Sequence, residues 1–259
     1  MDSKLRDALL SRIDPKIKLK EFYTFVNAVL AKSKRLGMAI MITGMPGLDD
    51  DSQTHHRCYL KELVGRKVRD VAVEMLESRN CLKASLGMAC ISSALPLPDL
   101  YFEGDAIDAF EKLAASHKTA FIGHFPLAER WRDQGLPVDI VELSPGPGDI
   151  LWSDSHQLLS KTELLFLTGL TLVNGTFEEV IRRTPNAKYR ILLGPTVPFS
   201  DVFFDFGIDL VGSVLLPDER QVLDYYQHGG GGLPGAPAGT FQTVCLTRTP
   251  QLQKFLKKI

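Results

Sequence analysis

The sequence predicts an α/β protein in which a mostly parallel sheet follows a smaller N-terminal α+β unit. Several short apolar runs lie between residues 119 and 216, and each is followed by a polar turn and a segment with helical spacing. Continuous apolar runs are typical of parallel strands that are buried on both faces. Residues 1–100 instead carry strands first and helices afterwards, which is typical of an α+β unit.

The N-terminal unit is predicted from its hydrophobic spacing. It should contain a helix over residues 1–13 and a meander of two strands, over 22–31 and 36–43. Two further helices should follow, over 60–76 and 80–94. The second of these later helices is rich in small residues, which permit close packing. We place the boundary at residue 100, which gives an N-terminal domain over 1–100 and a second domain over 101–259.

The second domain is predicted to be a series of βαβ units. Its strand candidates share a continuous apolar core and lie at 119–125, 138–144, 164–170, 189–196 and 209–216. The segments between them have helical spacing or helix start signals, which favours parallel strands joined by helices. Residues 241–248 could add an edge strand, and 250–259 a short basic helix.

The amino-acid composition argues against partners that bind through a large net charge. Lys and Arg (30) nearly balance Asp and Glu (31), so a gross charge that would attract nucleic acid or a membrane surface is absent. The apolar runs are too short to cross a bilayer, and the charged N-terminus does not look like a secretion signal. The four cysteines include no CxxC pair, which favours free thiols and therefore a protein of a reducing compartment. We expect a cytoplasmic protein with a small-molecule ligand; a single chain and a homo-oligomer both fit.

Polar residues and glycines gather where the predicted strands end, and ligands of open α/β sheets bind at that edge. His124 lies at the end of the first strand candidate, between Gly123 and Phe125, and a helix starts at Pro126. The backbone amides of this turn could hold an anion. The imidazole could act as acid, base or metal ligand. The alternative is a tight turn in which His124 bonds to nearby backbone.

Glu142 closes the second strand, 19 residues after Gly123. An acidic residue near that offset accepts hydrogen bonds from ribose hydroxyls in dinucleotide-binding folds. Capping of the following loop, 145–149, is the alternative role. The chain has no GxGxxG motif, so a nucleotide or S-adenosylmethionine binder is the weaker hypothesis.

Asn174 lies in the connection after the third strand, and we expect its side-chain amide to face the strand ends. With His124 and Glu142 it completes the predicted catalytic set. The predicted ligand-binding residues share a place at the strand ends and are Gly123, Phe125, Thr168, Gly169, Gly175, Gly194, Pro195 and Thr196.

A second candidate site lies on a long loop, where His55, His56 and Cys58 follow three aspartates. Imidazole, thiolate and carboxylate are all metal ligands, and this mixture favours zinc or a heavier ion. The spacing matches no defined motif, and a solvated loop is the alternative. A heavy or transition-metal ion is therefore the candidate cofactor, and its identity is open.

Several segments together resemble the "putative heavy-metal chelation" family. They are GHFP at 123–126, Glu142 followed by PGPGD at 145–149, TGLTLVNGT at 168–176, GPTVPF at 194–199 and GIDLVGS at 207–213. The resemblance implies a Rossmann-like C-terminal domain and an N-terminal domain similar to the capping domain of enolases. It also implies a ligand site between the two domains.

The resemblance leaves two main hypotheses on function. In the first, the protein condenses or hydrolyses a pterin-, flavin- or siderophore-like metabolite in the interdomain cleft. His124 is then the acid or base, and Glu142 and Asn174 hold the ligand. In the second, the protein binds a metal or a metal chelate without catalysis, through His124 or through the loop with His55, His56 and Cys58. The sequence does not decide whether the protein is an enzyme.

Overall fold

The computed structural model describes residues 1, 3–41, 60–78, 80–104 and 110–256. Its N-terminal part contains helix α1 (Ser3–Ser11), strands β1 (Glu21–Thr24), β2 (Ala28–Lys32) and β3 (Leu36–Ile40), and helices α2 (Val68–Glu77) and α3 (Cys81–Ala94). The three strands form an antiparallel sheet in the order β1-β2-β3. The predicted order of strands first and helices afterwards is therefore confirmed for β1 to α3.

The single strand predicted over 22–31 is wrong, because the chain turns within it. The Phe25 amide donates to the Ala28 carbonyl (2.8 Å), which closes a turn between β1 and β2. Val26 lies at the tip of this turn and is 91% exposed. Asn27 is a residue type that tolerates turn geometry, and its position inside an apolar run was the available signal.

The C-terminal part alternates strands and helices. Its elements are β4 (Phe102–Glu103), α4 (Glu111–Ala114), β5 (Thr119–Ile122), α5 (Pro126–Asp133), β6 (Val138–Glu142), β7 (Ile150–Leu151), α6 (His156–Leu159), β8 (Leu164–Thr168), α7 (Leu170–Asn174), α8 (Phe177–Arg183), β9 (Tyr189–Leu193), β10 (Leu210–Leu215), α9 (Glu219–Gln227), β11 (Gln242–Thr247) and α10 (Pro250–Leu256). Short 3-10 turns occur at Lys61–Leu63, Trp152–Asp154 and Asp201–Phe206.

These strands form one sheet in the order β4-β11-β10-β9-β8-β5-β6-β7. All neighbours from β10 to β7 are parallel, whereas β11 and β4 are antiparallel to theirs. Counted from β5, the parallel strands have the order 3-2-1-4-5-6, which is that of doubly wound dinucleotide-binding folds. The predicted α/β fold is confirmed. The strand expected at the edge, β11, instead lies inside the sheet, because β4 pairs with it on the outer side.

Both faces of the sheet are buried, which explains the continuous apolar runs. On one face, the rings of Phe121 and Phe166 stack with their centroids 4.5 Å apart, and Trp131 of α5 packs edge-on against both. On the other face, Ala120 and Leu165 belong to a core that also includes the N-terminal helices. Successive side chains of β5 and β8 thus point to opposite faces of the sheet, as is usual in strands.

The N-terminal sheet lies between two helices. One face packs on α3 so closely that a Cβ at Gly37 would lie 2.4 Å from the Ser93 nitrogen. The other face packs on α9, where Leu30 and Met38 share a buried cluster with Tyr226. Through these contacts the N-terminal unit is fixed to the main sheet along a continuous core.

None of the helices within the described ranges is long and apolar enough to cross a bilayer. The division of the chain into domains at residue 100 stays a prediction. The amide of Ile40 donates to Thr196 Oγ1 (2.9 Å), so the two parts are joined by a hydrogen bond as well as by apolar contact.

Candidate functional site

The topological switch point of the sheet lies between β5 and β8. The chain continues from β5 to β6 towards one end of the strand order, and from β8 to β9 towards the other end. In open α/β sheets a crevice forms at this point, outside the carboxyl ends of the strands. Gly123 and His124 follow β5, and Thr168 ends β8. A Cβ on Gly123 would lie 2.7 Å from Thr168 Cγ2, and the φ of Gly123 is +101°, so glycine is needed here.

The ring of His124 lies between two carboxylates. Its Nε2 is 2.7 Å from Glu129 Oε1, and its Nδ1 is 3.3 Å from Asp149 Oδ2. The hydrogen bond with Glu129 is the main reason that the pKa of His124 is raised; the charges of Asp149 and Glu142 add to the effect, and partial burial opposes it. The site therefore favours the imidazolium, in which both nitrogens are donors. The side chain is 42% exposed, so a ligand can reach it.

Asp149 faces the Nδ1 side of the His124 ring and is itself held in place by hydrogen bonds. Its side chain is 1% exposed. One oxygen, Oδ1, accepts from Arg132 Nη1 (3.0 Å), and Oδ2 accepts from the Gly146 amide (3.0 Å) while facing His124. A buried carboxylate with these partners cannot rotate without losing hydrogen bonds. It therefore holds the imidazole in one orientation, as carboxylate partners of functional histidines do.

Helix α5 supplies two members of the cluster. Glu129 and Arg132 are three residues apart and therefore share a helix face. Pro126 occupies the first turn, where its missing amide hydrogen costs nothing. The helix thus places one carboxylate against Nε2 of His124 and one guanidinium against Asp149.

Glu142 ends β6, next to β5, and is half-buried. Its Oε2 accepts from the amide of Leu143 (3.1 Å), and its charge reaches His124. The structure therefore places Gly123, His124 and Glu142 in one region. Their roles in a ligand site stay predictions.

The other predicted ligand-binding residues join strand ends to each other. Thr196 is 1% exposed and bonds to the N-terminal sheet. Gly169 donates to Leu193 O (2.8 Å), and a Cβ on it would lie 2.7 Å from Val197 Cγ2. Close packing thus accounts for these residues, and contact with a ligand stays a prediction. The remaining ones are Phe125, Gly175, Gly194 and Pro195. The ring of Phe125 packs on that of Phe121.

Asn174 is the last residue of α7. Its Oδ1 accepts from the amide (3.1 Å) and from the hydroxyl (2.7 Å) of Thr176, and Gly175 between them has a φ of +77°. This is a turn stabilised by an asparagine side chain, between α7 and α8. The predicted contact of Asn174 with a ligand is a separate matter and stays a prediction.

A groove of about 910 Å³ lies at the amino ends of β5, β6 and β8, opposite to the carboxyl ends of the strands. Its lining includes Lys118 and Glu163, which precede β5 and β8, and Asp139 of β6. Glu163 is already occupied, because it pairs with Lys188 Nζ (2.7 Å) and accepts from the Lys118 amide. Ligands of open α/β sheets bind at the carboxyl edge instead.

The described residues do not fit a heavy-metal site. No group of three or more His, Cys, Asp or Glu side chains within them could hold a metal ion. Both nitrogens of His124 face carboxylates, so its lone pairs are not available while the ring is charged. Burial raises the pKa of Cys90 to about 12, which keeps a thiol rather than the thiolate that binds metals. His55, His56 and Cys58 lie outside the described residues.

Sequence reasoning missed three members of the His124 cluster, namely Glu129, Arg132 and Asp149. A signal existed for two of them, because Glu129 and Arg132 lie on one face of the helix that His124 precedes. Asp149 was visible only as the end of a Pro- and Gly-rich loop. Nothing in the sequence shows that this loop folds back onto the end of β5.

Two family models match the chain, and both are described as "Putative heavy-metal chelation". One, DUF4213, covers residues 6–95, and the other, DUF364, covers 105–244. An uncharacterised protein of Methanocaldococcus jannaschii is 28% identical over 182 residues, which are 67% of this chain and 70% of the relative.

Two solved structures share the fold. A DUF364-family protein of unknown function from Desulfitobacterium hafniense has a TM-score of 0.77 at 20% identity and covers 95% of this chain and 97% of its own. A second one, from Pyrococcus horikoshii, has a TM-score of 0.74 at 15% identity, with 95% and 98% covered. At these identities the likeness concerns the fold alone.

Proposed function

The chain belongs to the "Putative heavy-metal chelation" family, and from this premise we propose that it binds a small pterin-, flavin- or siderophore-like metabolite in the cleft between the N-terminal unit and the main sheet. The single observation that carries the proposal is His124, which is partly exposed at the switch point and faces two carboxylates that raise the pKa of its ring. Such ligands present ring nitrogens, carbonyls or phenolate oxygens, which accept hydrogen bonds from an imidazolium.

His124 is the residue that touches the ligand in this proposal, and Asp149 is its positioning residue. The raised pKa favours the protonated ring, and a proton on the ring is what a general acid needs in a hydrolysis or a condensation. Glu142 lies on the neighbouring strand and would accept a hydrogen bond from the ligand. Asn174 would donate its amide hydrogens, since its oxygen is used in the turn.

The family description favours a second candidate, the binding of a metal chelate without catalysis. A chelate brings its own donor atoms, so the protein needs only polar contacts to the chelator. This agrees better with the cluster around His124 than direct coordination does. Direct coordination would depend on His55, His56 and Cys58.

The test is a binding titration of three probes: a pterin, a flavin and a catecholate siderophore, each alone, and the siderophore also loaded with iron. His124→Gln should weaken binding at least ~10-fold, the loss expected for a charged hydrogen bond. His228→Gln is the matched control, because His228 also faces a carboxylate (Asp224, 3.4 Å) but lies at the end of α9. Equal affinity in the His124 variant would remove the proposal.

Metal analysis separates the two candidates from direct coordination. Protein without a histidine tag is exposed to zinc, nickel or cobalt, and the bound metal is counted. We expect His124→Gln to leave the metal content unchanged. A loss of stoichiometric metal in that variant would contradict the imidazolium assignment. A loss in the combined variant of His55, His56 and Cys58 would assign direct binding to that loop.

A further inference from the structure

The cluster around His124 carries more negative than positive charge. The imidazole faces the carboxylates of Glu129 and Asp149. Arg132 pairs with Asp149, and the charge of Glu142 also reaches the ring. These five side chains hold three carboxylates against two cations. The cluster is therefore negative by one charge when the ring is protonated, and by two when the ring is neutral.

The oxygens that stay free in this cluster belong to two of the carboxylates. Asp149 is 1% exposed, and both of its oxygens accept hydrogen bonds. Glu142 uses Oε2 for the Leu143 amide (3.1 Å), and Glu129 uses Oε1 for Nε2 of His124 (2.7 Å). The second oxygens of Glu142 and Glu129 have no hydrogen-bond partner in the described part of the chain. Since both ring nitrogens already face carboxylates, the groups that the cluster offers to a ligand are mainly acceptors.

Glu142 is the better placed of these two carboxylates to select a ligand. It ends β6, next to β5, and it is half-buried, whereas Glu129 is 48% exposed on α5. The free oxygen of a half-buried carboxylate has lost part of its contact with water, so it gains most from a ligand that donates hydrogen bonds. An anionic oxygen of a ligand would instead be repelled by the charge of the cluster.

We propose that the ligand presents a pair of neighbouring N–H donors to Glu142, as the aminopyrimidinone edge of a pterin does. Such a pair matches the two oxygens of a carboxylate in the way that the fork of a guanidinium does. The corresponding edge of a flavin has one N–H between two carbonyls, whose oxygens a carboxylate repels, and a catecholate is itself an anion. The inference rests on the proposed function and selects, within it, a neutral or cationic ligand with donor groups.

Pterin and lumazine form a matched pair of probes, because lumazine is the same ring system with a carbonyl in place of the amino group. Each is titrated by its fluorescence at a pH where both rings are neutral. We expect the wild type to bind pterin at least about tenfold more tightly, since lumazine lacks a donor and turns an oxygen towards the carboxylate. Glu142→Gln should lose most of this preference, because an amide can donate to that carbonyl. Asp133→Asn is the matched control and should keep the preference, because it removes an exposed carboxylate from the end of the helix that carries Glu129.

The preference is a ratio of two affinities for one protein, so a general loss of affinity in a variant cancels, and the wild-type ratio is a test even where a variant does not fold. The inference is overturned if the wild type binds lumazine as tightly as pterin, if Glu142→Gln keeps the full preference, or if Asp133→Asn loses it as well. Tighter binding of an iron-free catecholate than of pterin also overturns it. In these cases the proposed function stands as long as His124→Gln weakens binding. If neither pteridine binds, the inference is wrong, and the flavin and siderophore titrations decide the proposed function.

Discussion

Replacement of Asp149 by asparagine tests the central cluster most directly. The change removes a buried negative charge 3.3 Å from Nδ1 of His124 and keeps the size of the side chain. We expect the pKa of His124 to fall, because the imidazolium loses one of its two carboxylate neighbours. The Oδ1 contact with Arg132 is also weakened, since a neutral amide replaces an ion pair.

The size of the effect follows from the distance. At 3.3 Å, two unit charges in a medium as polar as water attract by about 1.3 kcal/mol. This corresponds to a roughly eightfold weaker proton affinity of His124. The water value is appropriate because the His124 side chain is 42% exposed, and Arg132 offsets part of the Asp149 charge. Eightfold is therefore the expected order of magnitude, since the burial of Asp149 strengthens the attraction and Arg132 weakens it.

Stability should change with pH in a direction that follows from the same pKa. The folded pKa of His124 is raised above its ordinary value of 6.5. The stabilisation is therefore complete below pH 6.5 and is lost as pH rises through the folded pKa. In Asp149→Asn this loss of stability with rising pH should be smaller.

The assay is an NMR pH titration of the imidazole signals, with urea denaturation at several pH values. The ring signals of His228 provide an internal control, because His228 lies at the end of α9, far along the chain from the substitution. Glu129→Gln should lower the pKa of His124 further, since Glu129 is the main contributor. A wild-type His124 that titrates at its ordinary pH, or an unchanged titration in Asp149→Asn, would refute this reasoning.

Three further substitutions test how the units are joined, by thermal and urea denaturation. Gly37→Ala should destabilise by about 1–3 kcal/mol, because its Cβ would meet the α3 backbone; an unchanged midpoint would contradict this packing. Thr196→Val should cost about 1–3 kcal/mol by leaving the Ile40 amide without an acceptor, whereas Thr196→Ser should cost less. Gly123→Ala should destabilise by a similar amount, since its φ is positive and its Cβ would meet Thr168; full stability there would argue against the contact.

The fold was largely predictable because its main sheet follows the period and length rules of buried parallel strands. Apolar runs at β5, β8 and β9 are continuous since both faces are covered. The failures concern local turns and pairing partners. The turn at Val26 interrupts an apolar run without glycine or proline, and the partner of β11 is a strand of only two residues, which has no periodic signal.

The candidate site was predictable only in part, because strand ends can be read from a sequence whereas loop folding cannot. His124 and Glu142 were found since they end apolar runs. Asp149 lies on the irregular loop between β6 and β7, and no spacing rule links it to His124. The roles of Thr196 and Gly169 in packing depend on which element lies against them, which is a tertiary property.

The placement of the N-terminal sheet between α3 and α9 has a consequence for how the protein can be divided. Each of the two family models covers one side of this contact. A fragment that ends after α3 would expose Leu30 and Met38 to water, and the complementary fragment would expose Val222 and Tyr226. Neither piece would have a complete core, so the chain should fold and unfold as a single cooperative unit.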